Sequence, residues 1–169
     1  MQSDVLQKLP GNYRDVIEFC METGLRPGEV CALLVSHANI RQGSLRVERT
    51  FSGSVIRETT KQKRKRTIPL SDRALQIVTR HIEGKLPEAF LFVNPTTGTH
   101  YTTNRLTKIW KKYSDIGNVT LYEATRHSFG SQLIDHRYIY SQNTYGSLRY
   151  WDYRKIFTWR MSTLRNCKL

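Results

Sequence analysis

At 169 residues the chain is long enough for one domain with a real core and short for two. Its 27 Lys and Arg against 14 Asp and Glu give a net charge of +13, which points to a polyanionic partner such as nucleic acid, the plainer reading being a merely basic surface. The odd, unpatterned set Cys20, Cys31 and Cys167 excludes a disulfide framework or a zinc site; with no apolar run near the roughly 18 residues of a membrane span and no signal-peptide core in MQSDVLQKLPGNY, the expected setting is soluble, reducing and cytoplasmic.

From Asn12 to Thr23 the apolar residues Tyr13, Val16, Ile17, Cys20 and Met21 recur at helical spacing, and Gly24 follows as a stop, which predicts an amphipathic helix. In GLRPGEVCALL, Pro27 suits a first helical position, Glu29 favours the positive end of the dipole, and Val30, Leu33 and Leu34 supply an inward face. A short second helix is therefore predicted just after Arg26. SLRVERTF, a Ser-Gly-Ser turn, VIRETT, the basic turn KQKRK and RTIPL then alternate extended segments with turn signals, the pattern of a small antiparallel sheet.

Ser71 is placed to cap the following helix, whose buried stripe is Ala74, Leu75, Ile77, Val78 and Ile82. After AFLFVNPTTG, a short extended piece and turn, Leu106, Ile109, Trp110 and Tyr113 mark another helix. LYEATRHSFGSQLI, from Leu121 to Ile134, is helical in period apart from Gly130, with Ala124, His127 and Leu133 or Ile134 directed at the core. The fold class is α+β, mainly α-helical with a small three-stranded antiparallel β-sheet.

Three blocks in order, TGLRPGEV around Arg26, TTKQKRKRTIPL around Lys61 and YEATRHSF around Arg126, resemble the signature segments of tyrosine recombinases of the phage integrase family. The resemblance covers roughly residues 10 to 134 and implies that family's catalytic domain. Arg26 stands where the family has its first signature arginine, in a T-G-x-R-x-x-E segment, and Glu29 matches the glutamate. Arg126 matches the arginine of the H-x-x-R-H segment and His127 the histidine after it, whereas Glu123 occupies the place of the first His. Lys61 falls where the family carries a catalytic hairpin lysine, with Lys63 as the alternative.

The reaction that the resemblance implies is a metal-free transesterification on double-stranded DNA. A tyrosine attacks a phosphodiester, forms a 3′-phosphotyrosine and releases a 5′-hydroxyl, so no cofactor is required. Arg26 and Arg126, planar and always charged, suit the charge that builds on the non-bridging oxygens. Lys61 would protonate the leaving oxygen, a general-acid contribution on the order of a hundred- to ten-thousand-fold.

Each residue also has a plainer reading. Arg26 pairs with Glu29 at a helix start, Arg126 is a solvated helix residue, and KQKRKR grips DNA backbone without chemistry. His127 reads as a packed helix histidine, and Glu123 as its partner or that of Arg126.

Beyond the second arginine the family has a G-H or G-W segment and, nine residues after that His or Trp, the nucleophilic tyrosine. Tyr138, Tyr140, Tyr145, Tyr150 and Tyr153 follow no such segment, so no nucleophile is identified. From Asp135 the helical period is lost, and a shifted reading frame accounts for it. With suitable codons for Ser141 to Trp159, reading one nucleotide later yields LKTLMGHSDTGTTERYSH, which has the G-H segment and a tyrosine nine residues on. The expected organisation is a catalytic domain over 1–134, without the helical core-binding domain that family members carry before it, and an aberrant, poorly ordered tail over 135–169. Family members form tetramers on DNA through a C-terminal segment, so this chain is expected to be monomeric, nucleoid-associated and impaired in catalysis, or else a non-catalytic module binding DNA backbone.

Overall fold

The chain opens with α1 (Gln2–Lys8) and α2 (Gly11–Thr23), followed by the single helical turn and a half of α3 (Pro27–Cys31). Strands β1 (Ala38–Asn39), β2 (Ser44–Val47), β3 (Thr50–Ser52), β4 (Val55–Arg57) and β5 (Arg66–Pro69) come next, then α4 (Asp72–Ile82), α5 (Thr103–Tyr113) and α6 (Leu121–Tyr140). The computed structural model describes residues 2–53, 55–57 and 65–140, without the side chains of 2 and 133–140. Backbone contacts divide the chain after Phe129, and the second unit holds, among the described residues, only the C-terminal part of α6.

Helix α2 is the hub of the first unit. Its apolar residues Tyr13, Val16, Ile17, Phe19, Cys20 and Met21 are all buried, and α1, α3, α4 and α5 pack around it. Burial of this kind stabilises by about 25 cal/mol per Å² of apolar surface, so the stripe that marks the helix in the sequence is also what holds it in place. The helix stops where expected. Gly24 takes the left-handed conformation, φ +62°, and its N–H donates to the Cys20 carbonyl at 3.0 Å, which satisfies one carbonyl that the helix end would otherwise leave open.

Helix α3 begins at Pro27 with Arg26 as its extended N-cap, because proline lacks the N–H that a first turn cannot use. Ser71 caps α4 by accepting the Ala74 N–H at 3.1 Å. Its stripe divides, with Ala74, Ile77 and Val78 buried and Leu75 and Ile82 half-buried. Arg73 meets Glu18 through two nitrogens at 2.6 and 2.9 Å and Arg80 pairs with Asp15, ion pairs that tie α4 to α2, while the His81 ring hydrogen-bonds the same Asp15 at 3.1 Å. Trp110 anchors α5, buried to 2% exposure, with its indole N–H donating to the Val119 carbonyl at 2.9 Å.

A three-stranded antiparallel sheet is present, but its membership differs from the expected one. Its order is β1-β2-β5, with Leu45 opposite both Ala38 and Ile68. SLRVERTF does not run as one strand: β2 ends at Val47, and β3 pairs with β4 in a separate hairpin, Phe51 opposite Ile56. The break lies at Glu48, whose carboxylate is drawn to the buried His37 at 3.3 Å and to Lys65 and Arg46 at 3.3 and 3.4 Å. The chain leaves the sheet at this cluster, where an alternating pattern would have continued it. The two-residue β1 carries no readable alternation of its own.

Helix α6 also differs, ending at Tyr140 rather than Ile134. Once a helix is nucleated each further residue adds a hydrogen bond, and 135–140 contains no Gly or Pro to stop it. The tail beyond Tyr140, and with it Tyr145, Tyr150, Tyr153 and Cys167, lies outside the described residues, as do Lys61 and Lys63 between β4 and β5.

Candidate active site

Two local devices aim the site. The first is the α2–α3 corner, where the left-handed Gly24 reverses the chain and leaves Arg26 half-exposed at the start of α3. Glu29, only 2% exposed, closes this turn by accepting the Arg26 backbone N–H at 3.0 Å and an Arg66 guanidinium N–H at 2.9 Å. The glutamate thus meets Arg26 through the main chain, and the guanidinium it binds belongs to β5.

The second device starts α6. Thr120 and Glu123 form a reciprocal cap: the Glu123 backbone N–H donates to the Thr120 hydroxyl at 3.2 Å, while the Glu123 carboxylate accepts the Thr120 N–H at 2.9 Å and its hydroxyl at 2.8 Å. Glu123 is therefore a helix-capping residue; of the two helix neighbours expected as its partners, His127 and Arg126, His127 acts on its carboxyl. The Thr120 backbone N–H, then its hydroxyl, holds the carboxyl below its ordinary value against a smaller effect of burial, with the nearby His127 adding to the lowering.

A carboxyl depressed in the folded state contributes stability that is present above its unfolded pKa, about 4.3, and is lost as pH falls through the lower folded value. Thermal melting from pH 6 to pH 2.5 is the check. We expect the melting temperatures of the native chain and Glu123→Ala to converge as the pH drops below about 4.3, whereas a gap unchanged down to pH 2.5 would count against the cap.

With α6 started at this point, Leu121, Ala124 and Thr125 are buried, and Tyr122 and Arg126 lie one turn apart on the flank. His127 is half-buried rather than a core residue. The Arg126 guanidinium carbon stands 5.5 Å from the centre of the Tyr122 ring. Burial alone would push the Tyr122 phenol up, but the charge of Arg126, reinforced by Arg26 across the corner, outweighs it and holds the phenol below its ordinary value. Arg26 and Tyr122 also line a cleft of about 280 Å³ together with Gly28, Thr50, Thr107 and Thr120.

The structure thus brings Arg26 and Arg126 to one phenol. Tyr122 itself was not singled out from the sequence, although an aromatic residue four positions before an arginine on a helix is a readable signal. The T-x-x-E signature at Thr120 and Glu123 is likewise readable.

Gly24 sets the docking of α6. A β-carbon on it would lie 2.5 Å from the Phe129 ring, so the bare backbone lets this part of α6 close on the corner that presents Arg26. Gly28 is similarly tight, since a β-carbon there would lie 2.7 Å from the Phe51 carbonyl of β3.

The phage integrase family model matches residues 2–139. Among solved structures, the Tn1549 transposon integrase in complex with a circular intermediate DNA is similar with a TM-score of 0.61 at 22% identity, over 79% of this chain and 51% of that one. The integrase from mycobacterium phage Brujita has a TM-score of 0.55 at 18% identity, over 80% of this chain and 43% of that one. XerA recombinase has a TM-score of 0.52 at 16% identity, over 94% and 64%. This chain spans about half the length of the Tn1549 protein. No curated protein sequence matches it. Among the described residues no helix is long and apolar enough to cross a membrane.

Proposed function

The chain belongs to the phage integrase family, and from that premise we propose that Arg26 and Arg126 bind a backbone phosphate of double-stranded DNA in a site of the strand-breaking and rejoining type. The observation that carries the proposal is the meeting of two arginines a hundred positions apart, 26 and 126, at the single phenol of Tyr122. Two guanidiniums offer a forked, permanently charged donor set, which suits the oxygens of a phosphodiester as negative charge grows on them. Lys61, or Lys63, on the basic segment between β4 and β5, is the proposed proton donor to the leaving 5′-oxygen.

The same reading gives the chain impaired catalysis. A frame shift that reached the family's G-H and tyrosine positions would leave the phosphate-binding half without its nucleophile. The test is covalent trapping on a suicide DNA site, with the gene's nucleotides read alongside. We expect no 3′-phosphotyrosyl adduct from this chain and recovery of the G-H segment in the shifted frame. A robust adduct would overturn the claim of impairment.

A non-catalytic DNA-binding module is the second reading, and helix α5 favours it. Arg105, Lys108, Lys111 and Lys112 are all exposed on that helix, an array suited to phosphates in general. On this reading, removal of Arg26 or Arg126 costs no more than removal of one of these charges.

A further inference from the structure

We propose that Tyr122 is a positioning residue of the phosphate site, its hydroxyl joining the Arg26 and Arg126 guanidiniums into one preformed anion site and adding a third donor to the phosphate. This rests on the reading of the two arginines as a phosphate grip.

Two guanidiniums brought together without an anion repel each other, and each carries several rotatable bonds. A neutral acceptor set between them lowers that repulsion and limits their freedom before DNA arrives. Tyr122 is placed to do so. Its ring lies against Arg126 at 5.5 Å, and Tyr122 and Arg26 line the same cleft. The α6 cap at Thr120 and Glu123 and the buried neighbours Leu121 and Ala124 fix the helix turn that carries it. Tyr122 is 45% exposed, so the residue is open to solvent rather than packed in the core. A phenol oxygen accepts from guanidinium N–H groups with its lone pairs and keeps its own proton to donate, so an arriving phosphate meets three converging donors.

The charged groups facing the phenol are Arg126 of its own helix and Arg26 from the α2–α3 corner, while the neighbouring Glu123 carboxylate is turned to Thr120. Both facing charges are positive, which agrees with the lowered phenol pKa. The sign of the pH effect follows. Below its pKa the neutral hydroxyl donates to phosphate. Above it, the phenolate has lost that proton to solvent and competes with phosphate for the same two arginines. DNA binding through Tyr122 is therefore present at neutral pH and lost as pH rises through the lowered value.

The experiment measures the affinity of the full-length chain for a short nicked duplex by fluorescence anisotropy from pH 7 to pH 10. It compares the native chain with Tyr122→Phe, Arg126→Ala and Arg26→Ala, and melting curves confirm that each variant is folded. Tyr122→Phe keeps the ring against Arg126 and removes only the hydroxyl. We expect it to bind about tenfold more weakly at pH 7, the scale of one hydrogen bond to a charged group. That gap should close as the pH rises, because the native phenolate turns from donor to competitor. Loss of surface lysine charge at high pH affects both chains alike and cancels in the comparison. If the arginine variants lose affinity while Tyr122→Phe matches the native chain at every pH, the role of Tyr122 is overturned and the arginine site stands. If the arginine variants bind like the native chain, the phosphate reading falls and this inference with it.

Discussion

Alanine at Arg126 is expected to weaken duplex-DNA binding by about ten- to a hundredfold at neutral pH and low salt, the scale of a lost charge-assisted contact to phosphate. Arg26→Ala should do the same. The two losses should not add fully, because the residues meet at one phenol and, on the proposed reading, would share one phosphate. Each variant should also flatten the dependence of log affinity on log salt by about one.

Neither substitution should unfold the chain. Both side chains are half-exposed, and the N–H that closes the turn at Glu29 is a backbone group that Arg26→Ala retains. Arg126→Lys adds a sharper control: an ammonium supplies the charge without the planar fork, so it should recover the salt slope but only part of the affinity. Anisotropy titrations of the three variants across 50–300 mM salt decide the matter. Losses no larger than that of Lys108→Ala on α5 would favour a general backbone-binding surface instead.

Gly24→Ala should be the most disruptive single-carbon change in the corner, at about 2–5 kcal/mol of stability. Two effects combine there. The backbone sits at φ +62°, where a β-carbon costs roughly 1–2 kcal/mol. The new carbon would also lie 2.5 and 2.7 Å from Phe129 Cδ1 and Cγ, an overpacking of the kind that costs about 1–3 kcal/mol.

Gly43 separates the two effects, since it has φ +56° with no atom within 4 Å of the new carbon, so Gly43→Ala should show the backbone cost alone. Denaturant melts of both variants make the comparison. Equal destabilisation would show that the close approach of α6 to the corner does not matter. The larger loss should come with weaker DNA binding, because pushing Phe129 away carries Arg126 away from Arg26.

Several elements were legible in the sequence because their signals are local. Gly24 ends a helix since glycine alone accepts the left-handed turn cheaply, Pro27 starts one since it has no N–H to lose, and Ser71 caps one through its own hydroxyl. Apolar spacing marked α2, α4 and α5 for the same reason that it buries them. The sheet was legible as a class but not in its strands, because its pairings are long-range: β2 takes β5 rather than β3 as its neighbour, and β3 pairs with β4 apart from it. Glu123 closes the cap with Thr120 through its carboxylate, a role set by the residue three positions before it rather than by the family position it occupies.

What the sequence determined by itself is the existence of helices α2 to α5 and the start of α6, though not α1, and the order of three signature blocks, and through them the family. Both depend on residue type within a few positions of chain. The tertiary structure alone decided that Arg26 and Arg126 meet at the phenol of Tyr122. The meeting of these two arginines at one phenol leaves no periodicity to read. It exists because Gly24 has no side chain where Phe129 must pack, and because a cap at Thr120 starts α6 in the one phase that turns Tyr122 and Arg126 toward the corner.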